Sequence, residues 1–259
     1  MNVNGHDETI STTTLLGPYF SRLPIELVLE IAFTTCSSLQ SNYATLLLLC
    51  RRFFELCRLS CLPFVPVVLE TVTQIGQFAE YLDRNQYAAP CIRQLWMVKD
   101  YHDILFKCTN LVSLACDGHD LVPIVSADTF RHTALTNLTI MGLWDFWAPF
   151  VRARHGRTLC GQLHKLWLLD HLFLRGIETE WLDELRELYY WSIEGRGKDQ
   201  FRDEVGLLKG LKRLERFGVI MHCPSSSVFR QLEEIGDRRL EVVEWGKRSE
   251  VVEWMGQRV

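Results

Sequence analysis

The chain has 259 residues, enough for one large domain or for a small module joined to a larger one, and its 47% hydrophobic and 23% charged composition is that of an ordinary globular protein. Lys and Arg number 28 against 32 Asp and Glu, a formal charge of -4, so no basic excess points to nucleic acid, whose binding rests on cations neutralising phosphates. The longest uninterrupted apolar run, Leu46 to Cys50, is far below the roughly 18 residues needed to cross a bilayer. Neither nucleic acid nor a membrane is expected as a partner.

Residues 1–18 are polar, with Ser11-Thr12-Thr13-Thr14, and have too few large apolar groups to offset ordering entropy. A disordered tail is expected there, and no basic segment followed by an apolar one marks secretion. Nine cysteines form an odd count, which fits reduced thiols in a cytoplasmic or nuclear protein.

Residues 19–63 read as a small helical module. Pro24 suits a first helical turn, where a missing N–H costs nothing. Leu27 and Ile31, with Val28 and Ala32, recur at helical spacing and predict a helix to about Phe33. Cys36 to Asn42 is expected to be a polar connector. Thr45 to Leu59 is predicted helical, with a break near Cys50, and Pro63 and Pro66 end the module.

Residues 64–259 follow a different pattern. Val67-Val68-Leu69 reads as a strand, and Thr73 to Asn85 as an amphipathic helix turning Ile75, Phe78, Ala79 and Leu82 inward. After Pro90 an apolar–x–x–apolar–x–apolar unit recurs, as Ile92-Leu95-Met97, Leu111-Leu114-Cys116, Leu135-Leu138-Ile140, Leu163-Leu166-Leu168, Leu185-Leu188-Tyr190, Leu214-Phe217-Val219 and Leu240-Val243-Trp245. Successive starts differ by between 19 and 29 residues, close to the roughly 20–29 of leucine-rich repeats. Each unit predicts one strand whose last two apolar side chains share a face. The segments between, such as Trp181–Leu185, Phe201–Leu211 and Val228–Ile235, predict returning helices or loops. The expected fold class is α/β: a short helical module followed by an irregular leucine-rich-repeat-like solenoid. An ordinary α/β domain is the alternative.

Motifs for catalysis are absent, and no cofactor or resident metal is expected. There is no Gly-x-Ser-x-Gly elbow and no HExxH, and Gly195-Arg196-Gly197-Lys198 lacks the spacer and hydroxyl of a phosphate loop. Cys57 and Cys61 share a helical face, but no second pair has matching spacing. His102, His119 and His132 read as loop residues, and His164 and His171 flank the Leu163 unit.

The opening Leu23-Pro24-x-Glu26-Leu27, with Ile31 four further on, and the closing Leu46, Leu49-Cys50-Arg51-x-Phe53 together resemble the F-box family. The following strand, helix and repeats resemble F-box proteins that carry leucine-rich repeats. The resemblance implies a non-catalytic receptor subunit of a ubiquitin ligase. Those ten residues would grip a Skp-type adaptor, which attaches to a cullin, and the repeat domain would hold a target protein that the sequence does not identify. In each unit the residues flanking the fourth position point away from the core, and Trp96, Lys165, Trp167, Tyr189 and Arg216 are the candidate target-binding groups. Trp144 and Trp147 are assigned to a covering loop, and Trp245 and Trp254 to the C-terminal end. The alternative is a repeat-based binding protein whose N-terminal helices are only a structural cap. The residues after Cys36 depart from the family, with Asn42-Tyr43-Ala44 where an acidic residue is usual.

Overall fold

Pro24 has an extended backbone, and its carbonyl accepts the first helical bond from Val28, which starts helix α1 (Ile25–Ser38). A single extended residue, Leu39, separates it from α2 (Gln40–Leu49), and a second, Cys50, separates α2 from α3 (Arg51–Ser60). The computed structural model describes residues 23–98, 102–142, 147–169, 179–191, 202–221 and 224–244. The expected tail, Trp144, His171, Gly195–Lys198, Trp245 and Trp254 lie outside the described residues.

The break at Cys50 falls where expected, but the polar connector does not exist. Thr34, Thr35, Ser37 and Ser38 lie within α1, with their hydroxyls turned back to carbonyls three or four residues earlier. Asn42 then donates from Nδ2 to the Thr35 carbonyl at 3.1 Å, satisfying an acceptor that the helix end leaves open. The three helices bury Val28, Ala32 and Cys36 from α1, Leu46 from α2, and Phe53 and Cys57 from α3. The inward stripe of α1 is therefore one residue displaced from Leu27 and Ile31.

A 3-10 turn (Leu62–Phe64) leads into strand β1 (Val67–Leu69), and Thr71 with Gln74 forms a capping box that opens α4 (Val72–Arg84). Seven further strands follow: β2 (Gln94–Met97), β3 (Ser113–Asp117), β4 (Asn137–Met141), β5 (Lys165–Leu168), β6 (Glu187–Trp191), β7 (Arg216–Met221) and β8 (Leu240–Glu244). Between them run α5 (His102–Lys107), α6 (Gly118–Ser126), α7 (Trp147–Arg152), α8 (Gly156–Gln162), α9 (Arg202–Gly210) and α10 (Ser226–Ile235), with 3-10 turns at Ala89–Cys91 and Thr179–Trp181. The chain is mixed α/β. The eight strands among the described residues form one parallel sheet in sequence order.

Register follows the apolar units. Val67, Leu95, Leu114, Leu138, Leu166, Leu188, Phe217 and Leu240 stand side by side across the sheet. The last of these corrects the seventh unit. Leu240 and Val242 take the two core positions assigned to Val243 and Trp245, because α10 ends at Gly236 (φ +65°) and a tight turn feeds the strand three residues early. Asp237 fixes that turn by accepting from the Arg239 backbone and guanidinium. Phe64-Val67-Leu69 also fits the pattern, adding a unit at the start.

From β2 to β7 the turns are joined by a backbone ladder just before the strands. The Arg93 carbonyl accepts from Val112 and Ser113, Val112 from Thr136 and Asn137, and Thr136 from His164 and Lys165. His164 and Arg186 repeat the arrangement with the next turns. One carbonyl with two lone pairs thus satisfies two backbone donors in each of these five turns.

Candidate functional site

The apolar side chains of α1, α2 and α3 divide into two sets. Leu46 (8% exposed) and Phe53 (6%) are buried in the module's own core, so as adaptor-gripping groups they are corrected to packing residues. Leu27 (45%), Ile31 (48%) and Leu49 (47%) remain half exposed, and Leu23 is partly buried. Pro24, Glu26, Cys50 and Arg51 are exposed. Sequence reasoning missed Leu48, exposed at 85%, along with Ile25, Leu39 and Phe54. Four consecutive leucines wrap right round a helix, so in α2 one of them must face solvent; that signal was present.

Beneath this surface, Cys61 lies in hydrogen-bond contact with Cys36 and Cys57, and burial pushes all three thiols up. Buried, protonated thiols are unreactive, which fits a packing role. Among the described residues, no group of three or more His, Cys, Asp and Glu is arranged to hold a metal ion. The eight described cysteines are free.

The module is fastened to the sheet. Gln40 Oε1 accepts from the Val68 N–H at 2.8 Å, covering part of the outer edge of β1, and Phe33 stacks on Phe64 with centroids 4.4 Å apart. Tyr43 of α2 donates to the Arg58 carbonyl at 2.6 Å, and one continuous apolar core runs from Val28 to the strands.

The second candidate surface is the sheet face turned away from that core. Register sets Val68, Trp96, Ala115, Thr139, Trp167, Tyr189, Gly218 and Glu241 in one row, as the alternation requires. Trp96, Trp167 and Tyr189 are nevertheless buried, at 1%, 5% and 2% exposure, and form a second core with Ala115, Leu169 and Ile220. The expectation that they present themselves to a partner is corrected: in this structure they are packing groups.

This row has a specific geometry. The Trp167 and Tyr189 rings stack at 4.1 Å and 19°. Tyr189 then lies across Gly218, where a Cβ would sit 2.0 Å from the ring, and its hydroxyl donates to Glu241 at 2.8 Å on the next strand. Burial first, then that hydrogen bond, raises the phenol pKa. Arg216 donates to the same carboxylate at 2.9 Å and sits over the Tyr189 ring, while Lys165 pairs with Glu187 at 2.8 Å. Lys165 and Arg216 are therefore at the rim of the second core, with their charges already matched.

His102 and His119 depart from the loop expectation by lying in α5 and α6, while His132 is in a loop but buried. His102 begins α5 and lies 3.3 Å from the wholly buried carboxylate of Asp120 on α6, and His132 is buried, which lowers its pKa. His119 and His164 are exposed. An open cleft of about 400 Å³ lies between Thr179–Glu184 and Gly210–Arg213, with Leu182 and Leu211 among the residues lining it. Its walls carry Glu180, Asp183, Glu184, Lys212 and Arg213 and no histidine or cysteine.

No protein-family model, curated protein or solved structure matches the chain. Among the described residues, Leu27, Ile31, Leu48 and Leu49 of the N-terminal surface are exposed, whereas Trp96, Trp167 and Tyr189 of the sheet face are buried.

Proposed function

We propose that the protein is a non-catalytic receptor subunit. The three N-terminal helices dock onto a Skp-type adaptor, and through it a cullin, while the repeat-like domain, an irregular solenoid, holds a target for ubiquitination. The observation that carries this reading is the exposure of Leu27, Ile31, Leu48 and Leu49 on helices that bury a separate apolar stripe. Each such side chain gains roughly 1.5–3 kcal/mol on leaving water, so a handful supports a specific interface. The strands' sequential parallel order and the turn-by-turn ladder are what stacked repeats produce. The chemistry asked of the receptor is proximity alone: it raises the effective concentration of a target lysine near the transferring enzyme.

A second reading has its own support. Gln40 on Val68 and Phe33 on Phe64 make the same helices a cap for β1, and a cap needs no partner. Co-purification with a Skp-type adaptor separates the two. Leu27→Asp or Leu49→Asp is expected to abolish association, a loss of at least about 2 kcal/mol for a central contact. Folding stability should stay within about 0.5 kcal/mol, as for surface changes generally. Equal adaptor capture by wild type and both variants rejects the receptor reading and leaves the cap.

A further inference from the structure

The charges around the open apolar surface are sorted by helix. α1 carries Glu26 and Glu30 and no cation; α2 carries no charge; α3 carries Arg51, Arg52 and Arg58 against Glu55 alone. All six side chains are exposed. Glu26 and Glu30 immediately precede Leu27 and Ile31, and Arg51 and Arg52 follow Leu48 and Leu49 across one intervening residue. Arg51 is paired with Glu55 at 2.7 Å and Arg58 lies over the Phe54 ring, whereas Glu26, Glu30 and Arg52 make no ion pair among the described residues.

We infer that this docking surface is electrically polarised, and that its partner presents an apolar groove bordered by carboxylates opposite the α2–α3 junction and by cations opposite α1. The inference rests on the docking reading and adds the partner's chemistry to it. Apolar contacts are non-directional, so leucines and isoleucine alone would permit the partner to seat either way round. Opposite charge on α1 and on the α2–α3 junction disfavours a reversed pose, where like charges meet, and steers the encounter.

Stopped-flow association with a recombinant Skp-type adaptor tests this, using the full chain and variants at free charges, Arg52→Glu and Glu30→Lys. Both variants are expected to associate about tenfold more slowly than wild type at low salt, with dissociation nearly unchanged. The wild-type rate should fall as salt rises from ~0.1 M to ~1 M, where screening shortens to about 3 Å. A Glu30→Lys variant that associates faster overturns the polarity, since it would mean a uniformly acidic partner. Wild-type kinetics in both variants, with their melting unchanged, also overturns it while leaving docking intact. Absence of wild-type association at every salt concentration removes the docking reading and the inference together.

Discussion

Gly218 shows how one missing side chain organises a core. Tyr189 occupies the space where a Cβ would be, and this lets its ring reach from Trp167 to Glu241 across three strands. Gly218→Ala is expected to lower stability by roughly 1–3 kcal/mol through overpacking, and Tyr189→Leu in the same chain to recover part of the loss. Denaturant melts of the two variants check this; additive losses would show that the ring and the glycine do not share space. His132 makes a second prediction at this scale. Its folded pKa lies below 6.5, chiefly because burial disfavours the imidazolium. The unfolded chain therefore takes up a proton first as pH falls, so stability is full above about 6.5 and declines below it. His132→Gln should flatten that decline in unfolding measurements made between about pH 5 and pH 7.5.

At the scale of elements, what joins the helical module to the sheet decides whether the module stands alone. Gln40 supplies the acceptor for an N–H on an edge strand, a group that otherwise invites foreign pairing. Gln40→Ala is expected to cost about 1 kcal/mol and to speed hydrogen exchange at the Val68 amide, leaving amides of β3 and β4 unchanged. Uniform acceleration along the sheet would instead mean that the bond matters only through global stability. The helices and strands were largely legible in the sequence, because apolar period sets them: α4 and six of the seven apolar units fell in place. What escaped depended on contacts between distant residues. Thr34–Ser38 read as connector residues by composition, yet their hydroxyls and the Asn42 amide close the helix end. The burial of Trp96, Trp167 and Tyr189 was equally hidden, since alternation tells which face a side chain takes and not what lies over it.

The whole molecule has a continuous core that holds protonated thiols from the N-terminal helices to the middle of the sheet: Cys36 and Cys57 in the helices, Cys61 just after α3, then Cys108 and Cys160 between strands and Cys116 within β3. Burial raises each, and pushes Cys108 and Cys160 up from 9.0 to about 12. The folded state thus keeps protons that an unfolded chain releases above about pH 9, so stability is intact below that value and falls as pH climbs from about 9 towards 12. Alkaline titration of the denaturation midpoint should show that fall, and Cys108→Ala or Cys160→Ala should make it shallower. An alkaline limb of unchanged slope in both variants would assign the loss to other groups.

The carbonyls just before β2 to β6 belong to Arg93, Val112, Thr136, His164 and Arg186, two cations with an aliphatic, a hydroxyl and an imidazole side chain. A seam made from main-chain atoms places no demand on what the side chain is. That end of the sheet can therefore exchange cation for aliphatic, or hydroxyl for imidazole, from turn to turn while the stack beneath it stays closed. New surface chemistry can be written along this rim without reworking the scaffold.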